Sequence, residues 1–247
     1  MITHFDPDPD RFAVLRPCIE SGACGDPDAE WPNNMLSRDA VIYGSGAIAR
    51  RGQPVRHNVD PSELALCQRL AGEARAQMRG VAVGMGSEGY DEFQEFFAAA
   101  NVDDPVPQRL DEGLIRARFG GTIFPLATIT VEPLTEGGRW WRWVEDDGIA
   151  RAEGSATGPA DQDEEHRARF LEGYLRPWRA LTAWFNKQPE LKDSAFVMIG
   201  DYDALHALGR SEFPRGTVVV PCALPRLALG LTKKGSLAGL FGFVVQT

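Results

Sequence analysis

Residues 226–247 read RLALGLTKKGSLAGLFGFVVQT, and this stretch decides the fold. Two apolar runs flank a short polar segment, residues 232–235 (TKKG), whose glycine suits the left-handed conformation of a tight turn. Leucines alternate with other residues along the first run, which is typical of a strand with one buried face. The sequence therefore predicts a β-hairpin at this position.

The predicted hairpin continues to the last residue of the sequence, Thr247. A chain end that is held in a sheet is ordered, unlike most chain ends. We therefore expect the Thr247 hydroxyl and α-carboxylate at a fixed position, with Lys233 and Lys234 of the turn nearby. These three residues are candidate partner contacts.

Two helices have clear signals upstream of the hairpin. Asp60, Pro61 and Glu63 form a capping pattern, which predicts a helix that ends at Gly80. Residues 163–187 carry a broad apolar stripe and predict the longest helix, with a kink or break at Pro177. Strands are expected at 40–43, 114–119, 123–131, 139–144, 195–199 and 217–220, and a short helix is expected at 202–209. The segment at 93–100 fits either a short helix or a strand.

This order of elements favours an α+β fold with a mainly antiparallel sheet and helices packed on it, as in an α-β-α sandwich. A composition change near residue 105 divides the chain. Residues 1–105 are acidic and rich in loops with one capped helix, and residues 106–247 contain most of the predicted sandwich. Alternatively, the first part is an elaboration of a single sandwich.

The net charge of the 247-residue chain is −9. An acidic chain disfavours nucleic-acid binding, because that affinity depends on neutralising phosphates. It suits a basic protein as partner, although solubility alone accounts for such a charge as well. No apolar run has the length of a membrane span, the N-terminal MITHFDPDPD lacks the basic start of a signal peptide, and the four cysteines are scattered, so we expect a cytoplasmic location.

Motifs for cofactors, metals or catalysis are weak. Residues 44–49 (GSGAIA) follow a predicted strand, as in a dinucleotide-binding turn, but Gly52 and Pro54 interrupt the helix that the pyrophosphate requires. The histidines and cysteines share no metal-ligand spacing. We therefore expect no cofactor, no metal and no catalytic residue. The alternative is an enzyme of unknown class that pairs a thiol with a histidine, at His57–Cys67 or His206–Cys222.

Three tryptophans occur together in the segment RWWRWV at 139–144. As a strand, this segment would place Trp141 and Trp143 on one face and Trp140 on the other. Tryptophan and arginine are frequent at the centre of protein interfaces. Packing in the core is the more favoured role for such a strand; as the alternative, Trp141 and Trp143 are candidate partner contacts, either of a binding protein or of a structural module.

The end of the chain resembles the nuclease A inhibitor-like family. The shared residues are Gly230, Thr232, Gly235, Leu237, Ala238, Gly239 and Leu240, then Val244, Val245 and Thr247. A weaker likeness, at the acidic start of the long helix and the strand after it, extends the resemblance over roughly the last third of the sequence. The resemblance implies a cytosolic, non-catalytic inhibitor or immunity protein that blocks the active site of a metal-dependent nuclease or a toxin.

Members of that family carry a Ser-Glu loop just before a strand. The resemblance implies that the glutamate reaches the metal of the nuclease, beside the inhibitor's own C-terminus. Spacing to Thr247 places this loop at residues 120–122 (GGT), where the glutamate is missing, and we favour this placement. Local composition instead favours Ser87 and Glu88, which requires a long insertion. Glu88 is therefore kept as a candidate acidic contact.

Overall fold

The computed structural model describes residues 1–12, 15, 29–31, 35–89, 91–155, 160–217 and 219–246. Its strands are β1 (Ala40–Ile42), β2 (Ile48–Arg50), β3 (Gln94–Ala98), β4 (Ile129–Pro133), β5 (Leu191–Ile199), β6 (Ala223–Thr232) and β7 (Leu237–Val245). Its helices are α1 (Pro9–Phe12), α2 (Pro61–Gln77), α3 (Glu112–Arg118), α4 (Arg139–Ser155), α5 (Ala160–Lys187) and α6 (Tyr202–His206). β1 and β2 form a hairpin, and the other strands form one antiparallel sheet in the order β3-β7-β6-β5-β4. The predicted α+β class is confirmed.

β6 and β7 form the predicted C-terminal hairpin in the middle of the sheet. The two strands pair from Leu231↔Leu237 at the turn to Ala223↔Val245 at the open end. Gly235 has the expected positive φ, 91°, and its N–H closes the turn on the Thr232 carbonyl at 3.0 Å. Nearly every residue of both strands is buried, because the hairpin is covered on both faces.

Helices α2, α4 and α5 cover one face of the sheet. Trp140 of α4 and Trp178 of α5 pack on Phe196 of β5, and all three side chains are fully buried. The rings of Trp140 and Phe196 are nearly parallel, with centroids 4.7 Å apart. Such large aromatic side chains bury much apolar area at one point of contact, so they fix the two long helices on the sheet.

The opposite face is covered by α3 and by loops. Phe96 of β3 lies against Phe119 at the end of α3 and against Phe241 of β7, with ring centroids 5.9 Å apart in both pairs. Trp31 contacts Phe124 edge-on at 5.3 Å. The sheet therefore lies between a layer of helices and a mixed layer of loops, short strands and one short helix.

The N-terminal part of the chain belongs to the same packed unit as the hairpin. β3 pairs with β7, and α2 packs on both strands. Asp60 caps α2 as predicted and accepts a hydrogen bond from Ser62 N at 2.9 Å. Glu63 accepts a hydrogen bond from the Thr232 hydroxyl at 2.5 Å. The sheet thus draws on residues from both sides of position 105.

The prediction of a strand at 114–119 is wrong, because these residues form most of α3 and its C-terminal cap. Asp111 is the N-cap of this helix and accepts a hydrogen bond from Leu114 N at 2.9 Å. Arg116 then pairs with Glu112 one turn earlier, at 2.8 Å. The cap and the i,i+4 ion pair are both helical signals. They outweigh the short apolar run from which a strand was predicted.

The segment at 139–144 is likewise a helix and not the predicted strand. Trp140, Val144, Gly148 and Ala152 recur at four-residue spacing, and all four are buried. Trp140 N donates to a carboxylate oxygen of Glu132 at 3.2 Å, which satisfies one of the open N–H groups of the first turn. The six residues from which a strand was expected are too few to show this four-residue spacing.

Three smaller differences concern element boundaries. The strand expected at 123–131 begins at Ile129, and Ile123 makes an isolated bridge to Leu36. The strand expected at 217–220 is replaced by a bridge between Thr217 and Trp31. α5 continues through Pro177 instead of breaking there; the buried residues on both sides of the proline hold it against the sheet.

Candidate functional site

The loop that carries Ser87 and Glu88 runs along the open end of the C-terminal hairpin. Glu88 N donates to the Val245 carbonyl at 2.9 Å, and Val245 N donates to the Ser87 hydroxyl at 3.0 Å. These two hydrogen bonds join the loop to the last residue of β7. Glu88 is exposed at this position, so its carboxylate is presented beside the end of the sheet.

The backbone just before this loop has an unusual conformation. Gly84, Met85 and Gly86 all have positive φ, at 64°, 60° and 73°. Met85 is a non-glycine residue in the left-handed region and is 2% exposed. A Cβ on Gly84 would collide with the Tyr174 hydroxyl, whereas no atom of the described residues lies within 4 Å of a Cβ on Gly86. Such strained conformations persist only where the surroundings enforce them, and they cluster at functional sites.

A buried carboxylate holds the strained segment in place. Asp147 of α4 accepts hydrogen bonds from Gly86 N at 3.2 Å, from the Tyr174 hydroxyl at 2.5 Å and from Arg151 Nε at 2.8 Å. Burial alone would raise the pKa of Asp147, but these donors and the Arg151 charge hold the pKa below its usual value. The loop is therefore fixed by an ionised carboxylate that joins α4 to α5.

Burial and the hydrogen bond to Asp147 have the opposite effect on the tyrosine of this network. They raise the pKa of Tyr174 well above its usual value. The hydroxyl therefore keeps its proton and remains a hydrogen-bond donor. Tyr174 and Asp147 together form a fixed wall behind Gly84.

A cavity of about 310 Å³ opens in front of the Ser87–Glu88 loop. Among the described residues, its lining contains three carboxylates and two aromatic rings but no lysine or arginine. The lining residues are Gly86, Glu88, Trp143, Asp201, Tyr202, Asp203 and Gln246. We call this set, together with Ser87, the Glu88 corner. An acidic cavity with aromatic walls suits a positively charged group.

Trp143 forms part of the cavity wall and also covers a buried arginine. The Arg226 guanidinium of β6 lies 5.8 Å from the centroid of the Trp143 ring. Arg226 is 1% exposed and donates to the carbonyl oxygens of Ile199 at 3.3 Å and Pro225 at 3.0 Å. Trp143 is thus held from behind by a cation–π contact, while part of its ring remains accessible.

The other tryptophans of this segment have a packing role. Trp140 and Trp141 are 0% and 2% exposed, and Trp141 Nε1 donates to Glu145 Oε1 at 2.6 Å. The expectation that Trp141 and Trp143 share an exposed strand face is therefore wrong, because the segment is helical. Of the two, the structure brings Trp143 to the Glu88 corner. The strand through which a structural module was expected to assemble does not form, and of its three tryptophans Trp143 stays partly exposed.

Lys233 and Lys234 lie at the other end of the hairpin. β7 has nine residues, so at about 3.3 Å per residue its two ends are about 27 Å apart. Lys234 pairs with Asp60 at the start of α2, at 2.7 Å. The expectation that both lysines lie near the chain end is wrong, since a hairpin places its turn and its open end on opposite sides. Thr247 lies outside the described residues; its neighbour Gln246 lines the cavity.

The segment at 120–122, favoured by spacing for the acidic loop, is not beside β7. Thr122 is fully buried and donates its hydroxyl to the Phe119 carbonyl at 2.5 Å. Gly120 packs closely against the backbone of Ile48 in β2. The segment thus joins α3 to the small hairpin, and the loop beside the end of β7 is Ser87–Glu88.

The structure describes all four residues of the alternative catalytic pairs, His57–Cys67 and His206–Cys222. His57 lies between the rings of Phe5 and Tyr43, and burial together with His4 lowers its pKa. Cys67 is a residue of α2 and is fully buried on the inner side of that helix. His206 packs edge-on against Tyr202, at 4.7 Å between centroids, and Cys222 is 7% exposed.

The glycine-rich segment at 44–46 lies in the turn between β1 and β2, where the pyrophosphate-binding helix of a dinucleotide site would have to start. Within the described parts of the chain, no three or more His, Cys, Asp or Glu side chains are grouped as a metal site would require.

Sequence reasoning missed the part of the corner that follows β5. Asp201 and Asp203 flank Tyr202 directly after a buried strand, and Asp201 also caps α6 through Ala204 N at 3.0 Å. The signal that could have found them is an acidic pair next to an aromatic residue at a strand end. It was not linked to Glu88, because more than one hundred residues of sequence separate the two segments.

Within the described residues, the helices are too short or too polar to traverse a bilayer. The sequence matches no protein-family model, and it matches no curated protein.

Proposed function

We propose that this chain is a non-catalytic, cytoplasmic binding protein that places the Glu88 corner against the basic cleft of another protein, such as a nuclease or a toxin. The observation that carries the proposal is the attachment of the Ser87–Glu88 loop to the end of β7, in front of a cavity lined with carboxylates. The scattered cysteines support the cytoplasmic location.

Charge supports a basic partner. The net charge is −9, and the corner adds Glu88, Asp201 and Asp203 at one place on the surface. A cleft that binds phosphate is itself positively charged. Complementary potentials speed up the encounter and orient the two surfaces before contact.

Rigidity of the loop supports the same function. Asp147, Tyr174 and the main chain of β7 fix the segment at 84–88 before any partner arrives. A surface that is already ordered loses less conformational entropy when it binds. The strain at Met85 is then the cost of holding Glu88 in one position.

Glu88 gives the corner its chemistry. A carboxylate can take the place of a substrate phosphate in a cationic cleft, and it is the oxygen ligand that Mg²⁺ and similar hard cations prefer. If the partner's cleft holds such a cation, Glu88 provides a ligand from outside. Trp143, with its accessible ring beside the carboxylates, provides the apolar contact that protein interfaces require at their centre.

The proposal is tested with the full chain as bait in lysate of the source cells. The captured partner is identified and purified, and its affinity is then measured by calorimetry for the unchanged protein, Glu88→Gln and Glu164→Gln. Glu164 is an exposed residue of α5 outside the corner, so it is the matched control.

We expect Glu88→Gln to weaken binding at least about tenfold, because a charge-assisted contact contributes roughly 1.5–3 kcal/mol. Glu164→Gln should bind like the unchanged protein. The activity of the partner should fall when the complex forms. Equal affinity for Glu88→Gln, or a partner whose activity is unaffected by binding, would contradict the proposal.

A further inference from the structure

The two edges of the five-stranded sheet differ in how they are covered. The outer edge of β3 is closed by the turn between β1 and β2. Ala99 N donates to the Ser45 carbonyl at 2.9 Å, and Gly46 lies so close to the Phe97 carbonyl that a Cβ there would collide with it. At Phe97 and Ala99 the main chain of this edge is therefore already occupied.

The outer edge of β4 is open. Gly200 N donates to the Thr128 carbonyl and Leu134 N to the Ser194 carbonyl, so the even-numbered residues of β4 direct their main-chain groups toward β5. Ile129 and Val131 therefore direct their main-chain N–H and C=O groups outward. Among the described residues, the structure shows no hydrogen-bond partner for these groups. A cavity of about 630 Å³ lies beside these two residues, between β4, the start of β5 and the segment 108–112. One outward position earlier, the Ala127 carbonyl accepts a hydrogen bond from Arg116 Nη2 at 2.8 Å, so the open part of the edge begins at Ile129.

The open groups are symmetric about Thr130. Suppose that the β4 strand of a second copy approaches antiparallel, with Thr130 on a two-fold axis. Ile129 of each copy then lies opposite Val131 of the other. Both are then hydrogen-bonded pairs, each exchanging two N–H···O bonds. This register satisfies every outward N–H and C=O of Ile129 and Val131. Pro133, which has no N–H, ends the ladder at the next outward position.

The side chains suit the same register. Ile129 would meet Val131 on one face, and Thr130 would meet Thr130 on the other; β-branched pairs and Thr–Thr pairs are favourable across strands. One surface patch that matches itself is the requirement for a two-fold dimer. From this self-complementarity we propose that two copies of the chain associate through β4 into one continuous sheet. The inference is independent of the proposed function.

The test is sedimentation equilibrium of the full chain over a concentration series, with Val131→Pro as the disrupting variant. The unchanged protein should have twice the 27.1 kDa mass of one chain. Val131→Pro removes an outward N–H in each copy and should weaken self-association at least about tenfold, while its circular dichroism stays unchanged, because an edge strand tolerates proline.

A cross-linking pair of variants keeps the test decisive if Val131→Pro does not fold. Thr130→Cys should form an intermolecular disulfide under mild oxidation, because the axis brings the two copies of residue 130 together. Thr128→Cys is the control: its two copies would be about 13 Å apart along the strands, too far for a disulfide. A monomer at all concentrations, a dimer that Val131→Pro leaves intact, or equal cross-linking at 128 and 130 would overturn the proposal.

Discussion

The two ends of the β6–β7 hairpin use their polar residues in different ways. At the turn end, polar groups are bonded within the protein: Thr232 to Glu63, Lys234 to Asp60, and the Gly235 carbonyl to Arg118. At the open end, carboxylates face a cavity. The residues that carry the resemblance near the turn therefore have structural roles here, while the surface suited to a partner lies about 27 Å away.

The largest expected effect is at the open end, from Gly84→Ala. The new methyl group would meet the Tyr174 hydroxyl and lie 2.6 Å from Asp147 Oδ2, in a left-handed conformation that is unfavourable for alanine. We expect a loss of about 3 kcal/mol in the free energy of unfolding, measured by urea denaturation, together with loss of partner binding.

Gly86→Ala is the matched control for that change. Gly86 also has positive φ, but in the part of the chain that the structure describes, its Cβ would meet no atom within 4 Å. Only the conformational cost remains, about 1 kcal/mol. Equal destabilisation by both variants would show that Tyr174 and Asp147 do not form a rigid wall behind the loop.

At the turn end, Thr232→Val should affect stability but not binding. The variant leaves the Glu63 carboxylate, which is 4% exposed, without the Thr232 hydroxyl, and removes the acceptor of Ser236 N. An unsatisfied buried polar group costs about 1–3 kcal/mol. Urea denaturation measures this loss, and the affinity for the partner measured by calorimetry should not change. A weaker affinity would mean that the two ends are coupled.

Elements that depend on signals close together in the sequence can be predicted from it, whereas those that depend on contacts between distant segments cannot. The hairpin, α2 and most of α5 follow from local signals: a turn glycine, the Asp60 cap and a long apolar period. The segments at 114–119 and 139–144 are short apolar runs that fit both strand and helix spacing. A cap from Asp111 and a contact from Glu132 decide them, and the second of these is a tertiary contact.

The Glu88 corner could be predicted only in part. The sequence identifies Glu88 and Trp143 as residue types suited to a partner. The sequence around each of them does not show that the fold brings them together with Asp201 and Gln246. The prediction that Lys233 and Lys234 lie near Thr247 is wrong because the turn and the open end of a hairpin are on opposite sides. In the structure Lys234 instead neutralises the cap of α2.

The pH dependence of stability should also distinguish the two ends. Hydrogen bonds lower the pKa of both Asp147 and Asp60 in the folded state. A lowered carboxyl pKa adds stability above the unfolded value of about 4, and this stability is lost as the pH falls through the folded value. Asp147→Asn and Asp60→Asn should each make the free energy of unfolding less dependent on pH below about 4.

Salt separates the two contributions. The side chains of Lys234 and Asp60 are 58% and 33% exposed, so about 1 M salt should remove most of their effect, whereas the Asp147 side chain is 8% exposed and should keep its own. The measurement is urea denaturation between about pH 2 and 7 at low and high salt. Equal sensitivity of both aspartates to salt would contradict the difference in burial.

The most direct test of the central claim is a comparison of charge reversals at the two ends against the purified partner. Glu88→Lys with Asp203→Lys changes the open end, and Lys233→Glu with Lys234→Glu changes the turn end by the same amount of charge. The account predicts that the first pair abolishes binding in calorimetry, while the second leaves the affinity within about threefold, a change of less than 1 kcal/mol. Loss of binding in the second pair with retention in the first would contradict it.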